Sequence, residues 1–309
     1  MNYPVTEKQR RHIEEFDCKI RNGDVQVEWV DCLCGESEFQ ILATTDRYRF
    51  SQQTVICKQC GLIRSNPRMT EESYRKFYES ETYRNCYEGE GWIDRYQTFY
   101  NPEYSQHIFD TISNEKKDVK SVLEIGAGGG WNLVPFKEAR IETVGYEYSP
   151  ALVKLGEKNG ISVVKGGVED VKGTYDVIIL NHVVEHMMSP VEEVRKIAEL
   201  LNDNGVIYIA VPTMDNYSPH QLQNAHTYYF NRKTLEHYMQ KAGLIASHIK
   251  PAEIVHISGV FKRGKSPTYS LDSNYSEQVK VIKNGYIIKR IKRCIRGVRS
   301  AVKMLRVLP

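Results

Sequence analysis

The feature that most constrains the fold is an apolar run that ends in a glycine-rich loop. Residues 122–125 are apolar except for one acid, Glu124, and residues 126–130 read Gly-Ala-Gly-Gly-Gly. Glycine lets a backbone approach a ligand closely, because no side chain stands in the way. A helix that begins near Trp131 would present its free amide groups to the same space. The pattern therefore predicts a nucleotide-type site at the carboxyl end of a first parallel strand.

Short apolar runs recur after this loop, and segments with helical signals separate them. The run at 175–180 is almost entirely apolar, as expected for a strand that is covered on both faces. Strands that alternate with helices form parallel sheets, so the fold class is α/β with a Rossmann-like arrangement. The runs that we expect to be strands are 143–147, 161–164, 175–180, 206–212, 245–250 and 254–262.

The spacing of the glycines distinguishes between two types of nucleotide-binding site. A dinucleotide fingerprint needs glycine or alanine at its third conserved position, and that position here is Trp131. The spacing Gly126-x-Gly128-x-Gly130, with an acid two residues earlier, instead resembles motif I of the class I S-adenosylmethionine-dependent methyltransferases. This resemblance implies S-adenosylmethionine as the cofactor and a seven-stranded sheet that ends in an antiparallel hairpin.

Further residues are expected to contact that cofactor. Glu147 ends the second expected strand, at a spacing that suits a carboxylate accepting both ribose hydroxyl protons; a solvated glutamate is the alternative. Similar enzymes place an acid near Gly167 to meet the adenine, and here the backbone of Val168 and the side chain of Glu169 are expected to replace it. The whole expected set is Glu124, Gly126, Ala127, Gly128, Gly130, Glu147, Tyr148, Val168, Glu169, Asn181, His182 and Tyr96.

Four of the seven cysteines form two close pairs in the amino-terminal third. The pairs are Cys32 with Cys34 and Cys57 with Cys60, and a glycine follows each pair. Four thiolates satisfy a tetrahedral Zn²⁺, so the pairs predict a structural zinc ribbon. The first pair is C-x-C rather than the usual C-x-x-C, which leaves Asp31 as a competing ligand. A ribbon that has lost its metal, or simply buried cysteines, is the alternative.

The stretch 60–68, Cys-Gly-Leu-Ile-Arg-Ser-Asn-Pro-Arg, points to a narrower group of methyltransferases. It is similar to the amino-terminal module of bacterial methyltransferases found with sugar and surface-polysaccharide biosynthesis. Deoxysugar C-methyltransferases share this module and carry a further carboxy-terminal domain, which we expect this shorter chain to lack. The resemblance spans residues 30–260 and implies a glycan or a sugar-containing small molecule as the acceptor.

A sugar hydroxyl needs a general base, because its pKa lies far above neutral, and histidine is suited to this role near pH 7. We expect His226, in the polar loop 213–229, to be the base, and His186 to be the second choice. Ordinary loop architecture is the alternative reading of His182 and His186. A nucleotide-activated sugar or another small molecule is an alternative acceptor.

Two other functional classes fit the sequence less well. Segment 181–186 lacks the Asn/Asp-Pro-Pro-aromatic run of enzymes that methylate base amines, which argues against an RNA methyltransferase using the ribbon to bind RNA. Residues 278–309 hold ten basic residues and no acid, so the rest of the chain carries 3 − 10 = −7. An acidic body does not indicate a nucleic-acid partner. The intact cofactor motifs argue against a non-catalytic binding subunit.

These signals predict four parts: a zinc-ribbon module at 1–68, an aromatic-rich helical lid or linker at 69–118, the methyltransferase domain at 119–263, and a basic tail at 264–309. In similar enzymes the second part covers the methionine end of the cofactor, so Tyr83 joins Tyr96 as a candidate there.

The tail has the pattern of an amphipathic helix. Apolar residues from Ile288 to Leu305 recur at steps of three and four, and eight basic residues from Lys289 to Arg306 lie on the flanks and the opposite side. This pattern is typical of a helix that lies on an anionic membrane surface, with docking on the body or self-association as alternatives. Since no stretch approaches the roughly 20 apolar residues of a membrane span, we expect a cytoplasmic protein, peripheral on the inner face of the plasma membrane.

Overall fold

The computed structural model describes residues 5–80, 82–89, 91–249, 256–265 and 270–285. In chain order, its strands are β1 (Val27–Glu28), β2 (Phe39–Thr45), β3 (Ser51–Cys57), β4 (Ile63–Ser65), β5 (Arg68–Met69), β6 (Ser121–Ile125), β7 (Glu142–Glu147), β8 (Val163–Lys165), β9 (Tyr175–Asn181), β10 (Leu201–Pro212), β11 (Tyr228–Tyr229), β12 (Leu244–Ile249) and β13 (His256–Arg263). Its α-helices are α1 (Glu7–Asn22), α2 (Glu71–Glu79), α3 (Thr82–Tyr87), α4 (Trp92–Tyr96), α5 (Pro102–Glu115), α6 (Val134–Glu138), α7 (Pro150–Lys158), α8 (Pro190–Glu199) and α9 (Arg232–Lys241).

A mixed sheet of seven strands forms the centre of the region from residue 121 to residue 263, in the order β12-β13-β10-β9-β6-β7-β8. Strands β6 to β10 are parallel, and β13 runs antiparallel to both β10 and β12. The predicted α/β class and the seven strands with a final antiparallel hairpin are confirmed. Because the strand order reverses between β6 and β9, a crevice opens at the carboxyl ends of these two strands.

Alternate residues of the central strands face opposite layers. On one face, Val177 and Ile179 of β9 belong to a core with Ile108 of α5 and Phe136 of α6. On the other face, Ile178 and Leu180 join a core that includes α8 and α9. The side-chain period of two along a strand therefore explains why the run 175–180 is apolar at nearly every position.

The amino-terminal ribbon, strands β2 to β4, is joined to the rest of the molecule by a shared sheet. Its strands follow the order β11-β4-β3-β2, and β11 comes from the loop that the sequence analysis left irregular. Tyr228 pairs with Arg64 and Tyr229 with Ile63, antiparallel. Three of the four paired cysteines, Cys32, Cys57 and Cys60, lie in the same core as β9 and α9. The ribbon is thus packed into the body rather than appended to it.

Within the segment expected to be the tail, residues 274–285 are helical and pack on the body. Asn274 Nδ2 donates to the carbonyl of Cys60 at 2.7 Å, and Gln278 Nε2 donates to the carbonyl of Met214 at 2.8 Å. Ile282 is buried among residues of the ribbon and the 213–229 loop. The apolar and basic pattern from Ile288 onward, and Cys294, lie outside the described residues. None of the helices in the described ranges is both long enough and apolar enough to cross a bilayer.

Candidate functional site

The loop after β6 takes backbone conformations that only glycine adopts without strain. Gly126, Gly128 and Gly130 have φ values of 67°, 56° and 76°, in the left-handed region. A Cβ on Gly128 would lie 2.5 Å from the Tyr96 hydroxyl oxygen, and one on Gly130 would lie 2.6 Å from Ile161 Cγ2. Neither glycine therefore has room for a side chain, and the backbone of the loop itself forms the wall of the crevice.

Glu147, at the end of β7, is held beside that loop. Its Oε2 accepts the backbone N–H of Gly128 at 2.9 Å, and its Oε1 accepts the backbone N–H of Ser149 at 2.9 Å. Each carboxylate oxygen can accept a further hydrogen bond. The geometry therefore leaves both oxygens able to accept a pair of hydroxyl protons, as a ribose would present them.

Glu124 is enclosed beneath the loop. It is 1% exposed, its Oε1 accepts from Asn132 Nδ2 at 2.7 Å, and its Oε2 has no hydrogen-bond partner among the described residues. Burial raises the pKa of this carboxyl to about 8, and the hydrogen bond from Asn132 opposes the shift. Asn132, which the sequence analysis did not single out, fixes the orientation of the carboxyl.

The expected adenine side lies at the carboxyl ends of β7 and β8. The Tyr148 hydroxyl donates to Glu169 Oε1 at 3.1 Å. A Cβ on Gly167 would lie 1.9 Å from that hydroxyl oxygen, so the tyrosine ring occupies the space that a side chain at 167 would take. Val168 begins a short 3₁₀ turn, Val168–Asp170, in which Asp170 Oδ2 accepts the N–H of Gly167. These residues form one edge of the crevice.

Aromatic residues of the helical segment cover the other edge. The Tyr96 ring stacks on Trp131, with centroids 4.8 Å apart and planes 20° apart. The Arg84 guanidinium lies 5.5 Å from the Tyr96 centroid and 4.9 Å from that of Tyr83. The hydroxyl of Tyr104 donates to Asn181 Oδ1 at 2.7 Å. Helices α4 and α5 therefore contact both the glycine loop and the end of β9.

The segment after β9 turns sharply beside the glycine loop. His182 has a φ of 58°, a conformation that non-glycine residues seldom adopt and that is often found at functional sites. Its Nδ1 lies 3.2 Å from Glu185 Oε1. Val183 Cγ2 would lie 2.9 Å from a Cβ on Gly126, so this turn abuts the loop directly.

His186 and His226 are brought together by two different loops. Their rings meet edge to face, with centroids 4.8 Å apart. His186 Nδ1 lies 2.8 Å from the carbonyl oxygen of Ala225 and 2.8 Å from the Tyr78 hydroxyl. A carbonyl can only accept, so an Nδ1–H donated to Ala225 leaves a lone pair on Nε2.

His226 is the more enclosed of the two histidines. It is 7% exposed, and its Nδ1 has no hydrogen-bond partner among the described residues. Burial lowers the pKa of His226 well below its ordinary value, and it lowers that of His186 as well. Glu185, which the sequence analysis did not single out, lies beside both; its only sequence signal was its place next to His186.

The four paired cysteines converge on one point. The Sγ atoms of Cys32 and Cys60 are 3.5 Å apart, those of Cys34 and Cys57 are 3.6 Å apart, and all four lie within 4.8 Å of one another. Sulfur atoms around a tetrahedral zinc with bonds of about 2.3 Å would be about 3.8 Å apart. Asp31 is exposed and is not part of this group. The donor set therefore fits Zn²⁺. Cys32, rather than Asp31, is the fourth ligand of the group.

Comparison with known proteins matches the central part of the chain to one family. Residues 96–248, just under half of the chain, match the family described as a methyltransferase domain. The malonyl-[acyl-carrier protein] O-methyltransferase of Halalkalibacterium halodurans is 27% identical over 132 residues, covering 37% of this chain and 48% of that protein. The glycine/sarcosine/dimethylglycine N-methyltransferase of Actinopolyspora halophila is 28% identical over 154 residues, covering 45% of this chain and 26% of that protein. The chain spans less than half the length of either relative.

Solved structures share the fold. The 1,6-didemethyltoxoflavin-N1-methyltransferase of Burkholderia thailandensis, solved with bound S-adenosylhomocysteine, superposes with a TM-score of 0.52 at 15% identity, over 66% of this chain and 96% of that chain. The mitomycin 7-O-methyltransferase superposes with a TM-score of 0.50 at 14% identity, over 62% of this chain and 60% of that chain. At such low identity these likenesses describe the architecture and leave the acceptor open.

Proposed function

We propose that this chain, which carries a class I S-adenosylmethionine-dependent methyltransferase domain, O-methylates a sugar of a bacterial surface polysaccharide or of its lipid-linked precursor. When bound, the donor supplies a methyl group that is already activated on a sulfonium sulfur. The protein has to hold the donor and the acceptor in line and to exclude water. The glycine loop and Glu147 hold the donor's ribose end, and Tyr148, Val168 and Glu169 line the place of its adenine.

The observation that carries the proposal is the position of the stretch 60–68, the part of the ribbon that resembles the sugar-methyltransferase module. Ser65 Oγ donates to the carbonyl of His226 at 2.7 Å. Arg68 Nη1 donates to the carbonyl of Met188, two residues after His186, at 2.7 Å. The module is therefore part of the wall that holds both histidines, which supports a role for it in receiving the acceptor.

The two histidines are the groups that we assign to activation of the acceptor hydroxyl. His226 remains the first candidate, because it comes from the loop that the ribbon positions, and His186 the second. His186 lies against α2, whose Tyr74 and Tyr78 hydroxyls are 3.2 Å and 2.8 Å from its Nδ1. The helical segment and the ribbon thus enclose the region of the two histidines from two sides.

An acceptor screen tests this function. Purified full-length protein is incubated with S-adenosylmethionine and, separately, with cell-surface glycans, lipid-linked sugars, nucleotide sugars, RNA and malonyl-acyl-carrier protein, and S-adenosylhomocysteine is measured. We expect product only with sugar-containing acceptors. A preference for nucleotide sugars would support the alternative acceptor of the same class. Turnover confined to RNA or to the carrier protein would contradict the proposal.

We also propose that the four-cysteine cluster holds one structural Zn²⁺ and that residues 286–309 bind an anionic membrane surface. The first proposal rests on the sulfur geometry above. The second rests on the sequence alone, where an apolar stripe is flanked by basic residues, each worth about 1 kcal/mol near an anionic leaflet. The second proposal would place the enzyme at the inner face of the plasma membrane, next to lipid-linked acceptors.

A further inference from the structure

Three potential ligand atoms meet where the turn after β9 approaches the 225–227 loop. Glu185, His186 and His226 each offer one such atom, and these atoms lie within 4.8 Å of one another. A carboxylate oxygen and two imidazole nitrogens bound to one cation at about 2.0–2.2 Å would be separated by distances in this range. Within the described residues, this group is separate from the four-cysteine cluster.

Two of the three side chains have buried atoms that nothing in the described residues satisfies. Glu185 is 1% exposed; its Oε1 lies 3.2 Å from His182 Nδ1, and its Oε2 has no partner. His226 Nδ1 has none either. Buried polar atoms are nearly always hydrogen-bonded or bound to an ion, so an unpaired oxygen and an unpaired nitrogen in one such cluster indicate a missing ligand.

The third side chain is already oriented for metal binding. The carbonyl of Ala225 lies 2.8 Å from His186 Nδ1; with the proton on Nδ1 and donated to this carbonyl, the lone pair lies on Nε2. This arrangement, in which one ring nitrogen donates to a carbonyl and the other binds the metal, is the usual one for histidine ligands.

The loops that supply the three ligands are locked to each other. The backbone N–H of Thr227 donates to the carbonyl of Glu185 at 2.9 Å, and Thr227 Oγ1 donates to the carbonyls of Glu185 and Met187 at 2.9 Å and 2.7 Å. These bonds hold the segment of Glu185 and His186 against the segment of His226. The three ligands are therefore prearranged, which lowers the entropy cost of binding an ion.

We propose that Glu185, His186 and His226 bind a divalent transition-metal cation. Two histidines and one carboxylate form a ligand set that leaves coordination positions open, as in catalytic rather than structural sites. The open positions would take water or an acceptor oxygen; which of the two rests on the proposed function. The site itself stands on its geometry, and its test requires no acceptor.

Manganese is the probe for this site, because Mn²⁺ competes poorly with Zn²⁺ for thiolates. Full-length protein with its cysteine site filled by zinc is titrated with Mn²⁺ by calorimetry and electron paramagnetic resonance. We expect one Mn²⁺ per chain, bound at least about 10-fold more weakly by Glu185→Gln and by His226→Gln. His248→Gln, which changes an exposed histidine of β12, is the matched control and should bind as the wild type does.

Failure of the wild type to bind Mn²⁺, or equal binding by all variants, would overturn the site. If a variant does not fold, manganese anomalous scattering from wild-type crystals decides: a peak between Glu185 and His226 supports the proposal, and a peak elsewhere or none refutes it. The metal titration and the acceptor screen give independent results, because the screen measures S-adenosylhomocysteine and not metal content. A cation bound at this site without methyl transfer to any sugar would support this inference and contradict the proposed function.

Discussion

At the scale of single residues, the account depends first on Glu147. Both of its oxygens are fixed by backbone amides of the loop and of the following helix, so the carboxylate does not have to reorganise when a ribose binds. We expect Glu147→Ala to weaken S-adenosylmethionine binding by about 1–3 kcal/mol, the cost of losing charged hydrogen bonds. Calorimetry measures this, with Glu142→Ala at the exposed start of the same strand as the control. Equal affinity in both variants would rule out the ribose assignment.

Glu124 leads to a prediction about pH. Its pKa is raised to about 8 in the folded protein, from 4.5 as the ordinary value, so folding favours the protonated form. The stabilisation is fully present below about pH 4.5 and is lost as the pH rises through about 8, with each pKa unit worth about 1.4 kcal/mol.

Glu124→Gln, which cannot ionise, should therefore reduce the loss of stability between pH 5 and pH 8. Urea unfolding of the cofactor-free protein at both pH values is the measurement, and Glu142→Gln at an exposed position of β7 is the control. A pH dependence that is the same in Glu124→Gln as in the wild type would mean that this carboxyl is not the group responsible.

The sequence was most informative where one residue type is required at a position. The three glycines with positive φ and the acid at the end of β7 could be recognised because the backbone geometry admits few substitutes. Glu185 and Asn132 could not, because a lone acid or amide next to a loop usually faces solvent. Their roles depend on burial against residues far apart in the chain, which local patterns do not encode.

At the scale of elements, the ribbon depends on its cysteines. Three of them lie in the central core, and the Tyr238 hydroxyl of α9 lies 3.3 Å from Cys60 Sγ. We expect about one zinc per chain, and we expect Cys57→Ser or Cys60→Ser to release it and to lower the unfolding temperature by at least about 5 °C. Elemental analysis and calorimetry measure both, with the exposed Cys18→Ser as the control. Metal-free wild-type protein of normal stability would show that the ribbon needs no ion.

Two elements could not be predicted from the sequence. Strand β11 has only two residues, too few for an alternating pattern, and it exists because Tyr228 and Tyr229 pair with β4. The helix at 274–285 looked like the start of a basic tail, because Lys280 and Lys283 carry positive charge. This helix instead covers the turn after Cys57 and Cys60. The backbone of Asn274 packs so closely there that a Cβ added to Gly61 would lie 2.9 Å from it. Both elements are defined by tertiary contacts rather than by their own periodicity.

At the scale of the whole molecule, one site draws on three parts of the chain. The ribbon contributes Ser65 and Arg68, the helical segment contributes Tyr78 and Tyr96, and the seven-stranded sheet contributes the remaining groups. Domain boundaries in the sequence separate these parts, but they form continuous hydrophobic cores. Changes in the ribbon are therefore expected to affect turnover as well as stability.

The proposed membrane contact of residues 286–309 belongs to this scale. Truncation after Gly285 leaves intact the buried contacts of Asn274, Gln278 and Ile282. The full-length protein should sediment with anionic vesicles at low salt and detach at high salt, because screening weakens attraction between exposed charges. The truncated protein should remain in the supernatant. Equal sedimentation of both proteins, or of neither, would refute the membrane contact.

The central claim is that a methyl group passes from S-adenosylmethionine to a sugar oxygen. The most direct measurement uses S-adenosylmethionine labelled with carbon-13 in the methyl group, wild-type protein and isolated lipid-linked or surface glycans, with nuclear magnetic resonance of the purified product. We expect the labelled carbon to appear as a methyl ether on a sugar ring, coupled to a ring carbon through oxygen, and to be absent when Glu147→Ala replaces the wild type at limiting donor. Label found in an ester, on nitrogen or on ring carbon would contradict the account.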